Sequence, residues 1–213
     1  MQAPINPSDI STIEGRYPLR PVLPASPGHE GVAVVEAVGS KVTRFHPGDR
    51  AVPIEHGQGT WRTHGVFREN HWYRIPNDLP IATAATMAIN PPTAIRLLEE
   101  FVALKEGDTI IHTGGTSSTG KYVLQLAKQK GVHCISVIRD RPNRGDTEKE
   151  LKEMGSSLVV TRDELQGALK GWSHGKPKLG LDCVGGLDSL EVAKALEYVL
   201  FLLFLRLVYS CAK

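Results

Sequence analysis

The chain has 213 residues, 41% of them hydrophobic and 23% charged, the make-up of an ordinary globular protein of one or two domains. Its formal net charge of +2 comes without basic clusters, which leaves no ground for nucleic-acid or membrane binding. The three cysteines, Cys134, Cys183 and Cys211, lie far apart, two of them in apolar strand patterns, so they read as reduced core residues of an intracellular protein and not as a disulfide framework.

Along the chain, Met1-Gln2-Ala3-Pro4 shows neither a charged nor an apolar leader, and nothing there reads as a signal peptide or presequence. Up to residue 86 the signals are β and turn. GVAVVEAVGS at 31–40 predicts a strand ending in a turn, Pro47-Gly48-Asp49 starts another, and TWRTHGVF at 60–67 alternates as a strand does. Residues 1–86 are therefore expected to form an irregular β domain.

The pattern then becomes βα. It predicts helix 82–101, strand 109–113, helix 118–130, strand 133–138, helix 146–154, strand 157–161, helix 163–170, strand 178–183 and helix 187–198. The fold class is thus α/β, with residues 87–198 forming a doubly wound parallel sheet of four strands where a complete dinucleotide fold has about six. Residues 199–213 are set apart as an atypical tail. Its stretch VLFLLFLRLVY is apolar with no helical stripe, carries Arg206, and falls short of the roughly 20 residues of a membrane span. It is not expected to make a good fifth strand, and both ends of the chain look cut.

The segment TIIHTGGTSSTGKYVLQLAKQKGVHCISVIRDR at 109–141 carries the chemistry. A β-branched strand enters a loop of Gly, Ser and Thr, a helix opens near Ser118, and a second strand ends in Arg139-Asp140-Arg141. Loop amides and the positive helix end suit a pyrophosphate, and the end of the second strand reaches an adenosine ribose. Gly114 and Gly115 make the turn and Gly120 allows close packing, while Ser118 stands where a glycine is expected. A carboxylate alone would accept from a free ribose 2′-OH; here Asp140 sits between two guanidinium groups able to pair with a 2′-phosphate, which points to NADPH.

Other residues keep two readings. Tyr17, between Arg16 and Pro18, either packs a turn or serves as a proton donor. Asn90, just before Pro91-Pro92, either caps the chain or binds the cofactor. His29-Glu30 sits in a Gly-His-Glu string that also occurs in zinc dehydrogenases. A catalytic zinc needs three protein ligands and an open position, however, and the matching upstream place holds Asn6. There is no C-x-x-C either, so no metal is expected and His29 reads as a satisfied polar residue. Trp61 and Trp72 read as packing aromatics.

Taken together, APINPSD at 3–9, the Gly15-Arg16-Tyr17 turn, GHEGVAVVEAVGS, GTWRTHGVF at 59–67, ATMAINPPTA at 85–94, VIRDRP at 137–142 and LDCVGG at 181–186 resemble mitochondrial trans-2-enoyl-CoA/acyl-carrier-protein reductases. These form a zinc-free branch of the medium-chain dehydrogenase/reductase superfamily, and the likeness covers roughly residues 2–198. It implies a partial GroES-like domain, an incomplete Rossmann domain, a homodimer and a mitochondrial location. It also implies NADPH-dependent reduction of the 2,3 double bond of an enoyl-CoA or enoyl-acyl-carrier-protein thioester. On this resemblance Tyr17 is the proton donor, Asn90, Thr116, Ser117, Ser118 and Thr119 contact the cofactor, and Arg139, Asp140 and Arg141 hold the 2′-phosphate. An NADPH quinone reductase of the same superfamily is the alternative, as is a non-catalytic truncated product, since the family continues beyond the point where this likeness fades.

Overall fold

A computed structural model describes residues 1–197 and the backbone of 202–204. Residue 198 of the last expected helix, Cys211 and the rest of the 199–213 tail lie outside the described residues. The chain divides into two compact units, Met1–Ile89 and the residues from Asn90 onward.

The first unit carries helix α1 (Pro7–Ile13), strands β1 (Ala33–Val34), β2 (Arg50–Pro53) and β3 (Trp72–Ile75), and a short helix α2 (Ile81–Ala85). The strands form an antiparallel sheet in that order, in register at Ala33 with Ala51 and at Pro53 with Trp72. Side-chain alternation along β2 feeds two small cores. Val52 packs with Val32, Ile75, Ala84 and Ala85, and Ala51 packs with Phe45 and Trp72.

Several expectations are corrected here. The 31–40 strand shrinks to two residues, and 60–67 is no strand at all. Its alternation serves a loop pinned by side chains: Thr60 Oγ1 donates to the Glu30 carbonyl at 2.6 Å and Trp61 Nε1 to the Pro4 carbonyl at 3.0 Å. The expected helix 82–101 is two helices, α2 and α3 (Asn90–Glu99), because Pro91-Pro92 fits the first turn of a helix and not its interior. Strand β3 and helix α1 escaped the pattern analysis.

The second unit alternates β4 (Thr109–Thr113), α4 (Ser118–Gln129), β5 (His133–Ile138), α5 (Arg144–Met154), β6 (Leu158–Thr161), α6 (Arg162–Leu169), β7 (Leu179–Asp182) and α7 (Leu187–Ala195). All are within two residues of the sequence reading except the end of α7. The sheet is parallel in the order β6-β5-β4-β7-β8, where β8 is Leu202–Phe204. That fifth strand corrects the expectation for the tail: its backbone pairs with the open edge of β7, Gly180 opposite Leu202.

The strands are buried on both faces, as a doubly wound sheet requires. Ile110, Cys134, Val159 and Leu179 pack under α3, α4 and α5; Ile111, Ile135, Val137 and Val160 pack under α6 and α7. Strand order reverses between β4 and β7, and at such a switch point the loops at the carboxyl ends of the strands open a binding crevice.

Candidate active site

The loop that leaves β4 at this switch point is built around absent side chains. Gly114 has φ +66°, a conformation L side chains rarely adopt, and a Cβ there would lie 2.3 Å from Cys183 Sγ. Ser117 is the N-cap of α4, its Oγ accepting from Gly120 N–H at 3.1 Å, so the helix begins at the loop, with one of its first-turn amides capped. Thr116 and Ser118 are exposed there, while Ser117 and Thr119 are half-buried. Thr119 Oγ1 donates to Asn90 Oδ1 at 2.8 Å, which ties the first residue of α3 to the first turn of α4. The structure thus brings together five of the residues selected from sequence, and an amide-lined turn of this shape fits a pyrophosphate.

Arg139, Asp140 and Arg141 follow the last residue of the neighbouring strand β5 and are exposed. Among the described residues no ion pair holds any of them, so both guanidinium groups keep their donors for an anion. The underside of the loop is held by Asp182, fully buried at the end of β7. It accepts from Thr113 Oγ1 at 2.7 Å, Val184 N–H at 3.1 Å, Gly185 N–H at 3.0 Å and the Ser189 hydroxyl. Its neighbour Cys183 is a free thiol pushed above its ordinary pKa by burial, which outweighs the hydrogen bond to Thr113 and the charge of Arg139.

Tyr17 belongs to the first unit and is placed by the end of α1. Gly15 adopts φ +70° there, Gly15 N–H bonds the Thr12 carbonyl and Arg16 N–H the Ser11 carbonyl, the two bonds of a Schellman cap. Tyr17 N–H also bonds the Ser11 carbonyl, at 3.1 Å. Its half-buried ring stands 5.4 Å from that of His29. Burial first, and the nearby Asp9 carboxylate second, raise the phenol above its usual value near 10, so it keeps its proton at neutral pH.

Behind Tyr17 lies a buried polar network that sequence analysis missed. Asp9 accepts from Asn6 N–H and from His29 N–H, each at 2.8 Å. Glu30 accepts from Asn6 Nδ2 at 2.8 Å and Ile89 N–H at 3.1 Å, yet burial outweighs these bonds and raises its pKa. Thr12 donates its hydroxyl proton to the Ser8 carbonyl, so His29 Nε2 must donate to Thr12 Oγ1, while Nδ1 accepts from Gly57 N–H. Both ring nitrogens are thereby committed. Among the described residues no cluster of His, Cys, Asp and Glu could hold a metal ion. Sequence signals for this network were the Gly-His-Glu string, with His29 read as a satisfied polar residue, and Asn6-Pro7-Ser8-Asp9, a helix start with an acid in its first turn.

A separate cavity of about 680 Å³ opens in the first unit among Val35, Val42, Phe45, Phe67 and Trp72. None of the residues selected from sequence as catalytic or cofactor-binding lines it. No described helix is long and apolar enough to cross a membrane.

Residues 1–77 match the family model of the alcohol dehydrogenase GroES-like domain. The chain is 43% identical over 196 residues to the mitochondrial enoyl-[acyl-carrier-protein] reductase of Caenorhabditis elegans, covering 92% of this chain and 56% of that protein. It is 44% identical over 199 residues to the human mitochondrial enzyme of the same name, covering 92% and 53%. Among solved structures, the mitochondrial 2-enoyl thioester reductase Etr1p/Etr2p heterodimer from Candida tropicalis matches with TM-score 0.85 and 38% identity, over 91% of this chain and 61% of that one. A complex of Etr1p with NADP and crotonyl-CoA matches with TM-score 0.86 and 37% identity, over the same shares. The chain spans a little over half the length of the curated relatives it matches. Nearly all of its own length thus aligns with mitochondrial enoyl-thioester reductases, to which the chain is similar in sequence and in fold.

Proposed function

We propose that this chain carries the cofactor-binding and proton-donating residues of an NADPH-dependent reductase of trans-2-enoyl thioesters, acting in mitochondrial fatty acid synthesis. The observation that carries the reading is the glycine loop at the β4–β7 switch point, followed across the sheet by two arginines with no ion-pair partner among the described residues. Thr116, Ser117, Ser118 and Thr119, with Asn90 behind them, would hold the pyrophosphate and the nicotinamide half. Arg139 and Arg141 flanking Asp140 would hold the 2′-phosphate. NADPH held there would supply the hydride that adds to the β-carbon of the thioester. The charge then left on the thioester oxygen calls for a nearby acid, and the Tyr17 phenol, protonated at neutral pH, stabilises that charge and returns a proton.

The substrate is an enoyl-CoA or enoyl-acyl-carrier-protein, and the assembly a homodimer. The relatives' names support the mitochondrial location. A second reading, an NADPH quinone reductase, draws on a putative NADPH:quinone reductase from Bacillus thuringiensis that matches with TM-score 0.77 at 32% identity. The Schellman-capped Gly15-Arg16-Tyr17 turn favours the enoyl reductase, because hydride addition to an enoyl thioester leaves an enolate that must be protonated at carbon by a placed acid, whereas a hydroquinone anion takes its proton at oxygen and can draw it from water. The test is NADPH consumption by the purified protein with crotonyl-CoA and, separately, with a quinone. Turnover of crotonyl-CoA is expected; a quinone reduced far faster would move the assignment to the second reading.

A further inference from the structure

We propose that His112 and Ser136 are a positioning pair for the phosphate loop, setting the height and tilt of Gly115 so that the loop amides meet a pyrophosphate; this rests on the dinucleotide reading above. His112 is 1% exposed, near the end of β4, and its ring lies beneath Gly115. A Cβ on Gly115 would stand 3.2 Å from both Cε1 and Nε2 of that ring and 3.5 Å from Ser136 Cβ, so the loop rests directly on the pair. Its neighbour Gly114 rests on Cys183, a soft sulfur that imposes no such direction.

The direction of the pair follows from counting protons. The Ser156 hydroxyl faces two carbonyls, Leu158 O at 2.9 Å and Cys134 O at 3.3 Å, to which it can only donate. It must therefore accept from Ser136 Oγ, 2.8 Å away. With its proton spent there, Ser136 must in turn accept from His112 Nε2, also at 2.8 Å. The relay runs one way, from imidazole to serine to serine to main chain, and it locks the ring tautomer and plane. His112, Ser136 and Ser156 are all buried, so water does not replace a broken link. His112 and Ser136 are register partners on adjacent strands, and Ser156 precedes β6, so three strands jointly aim one ring at the loop. A hydrocarbon of equal size would fill the space and leave the ring plane, and with it the loop, unspecified.

The test measures NADPH and adenosine 2′-monophosphate binding to the whole chain and to His112→Leu and His112→Gln. The two ligands share the 2′-phosphate, and only NADPH carries a pyrophosphate for the loop. His112→Leu is expected to weaken NADPH by up to about 10²-fold, the scale of a misplaced positioning group, and to leave adenosine 2′-monophosphate unchanged. His112→Gln, whose amide can donate to Ser136, should recover most of the loss. Should His112→Leu fail to fold, Ser136→Ala keeps the ring, removes its acceptor and should give the same split. Equal loss for both ligands, or none for either, would overturn the positioning role. A wild-type chain that binds adenosine 2′-monophosphate or nothing, and NADPH no better, would instead remove the dinucleotide reading and the inference with it.

Discussion

The α-carbon of Gly120 stands against the carbonyl of Gly114, so close that a Cβ would lie 2.6 Å from that oxygen and 2.9 Å from the α-carbon of Gly115. Both neighbours are backbone and cannot swing aside. Gly120→Ala should lift the loop from α4, cost about 1–3 kcal/mol as overpacked cores do, and weaken NADPH at least as much as it destabilises the fold. Calorimetric binding beside a denaturant titration checks this. Native affinity in the alanine variant would show that the loop has room the geometry denies.

Tyr17→Phe keeps the ring against His29 and removes only the hydroxyl. Turnover of crotonyl-CoA should fall roughly 10²–10⁴-fold, the range for a positioned acid, with NADPH affinity unchanged. Steady-state kinetics with a binding isotherm separates the two effects. Full turnover in the phenylalanine variant returns Tyr17 to the role of packing a Schellman-capped turn.

Alanine at both Arg139 and Arg141 should raise the Michaelis constant for NADPH far more than that for NADH, because only NADPH offers a 2′-phosphate to the two guanidinium groups, which make no ion pair among the described residues. The ratio of the two constants is the measurement. A wild-type protein that uses NADH and NADPH equally would already contradict it.

Burial lowers the pKa of His112 from 6.5 to about 4. A depressed histidine stabilises the fold above its unfolded value and loses that contribution as pH falls. Between pH 6.5 and about 4 the unfolded chain takes up the proton first, so stability should drop across that window by an amount on the order of 3 kcal/mol. Denaturant midpoints over this range should slope less in His112→Gln than in the wild type. Parallel slopes would mean that the imidazole is not buried neutral.

The second unit was legible because its signals are local. β-branched runs bounded by glycine, and helices with a 3.6-residue apolar stripe, specify β4 to α7 almost residue by residue, and the loop residues Gly114, Gly115 and Gly120 stand out in the sequence itself. The first unit was harder. Its strands run two to four residues, too short for alternation to distinguish a ladder from a pinned loop, and so TWRTHGVF misled while the four residues of β3 passed unseen.

By itself the sequence determined the α/β class and singled out the glycine loop after β4, the arginine pair and the tyrosine turn, since each is a contiguous string whose character depends on neighbours within a few residues. Only the tertiary structure decided the rest. It seated His112 and Ser136 under Gly115, gathered four donors on Asp182, and joined Asn6 to Glu30 across 24 positions. It also paired the backbone of 202–204 with an edge that composition could not assign to it. These relations bind residues far apart in the chain, and a buried polar group finds its partner through the fold, because burial away from water is what makes an unpaired donor or acceptor costly.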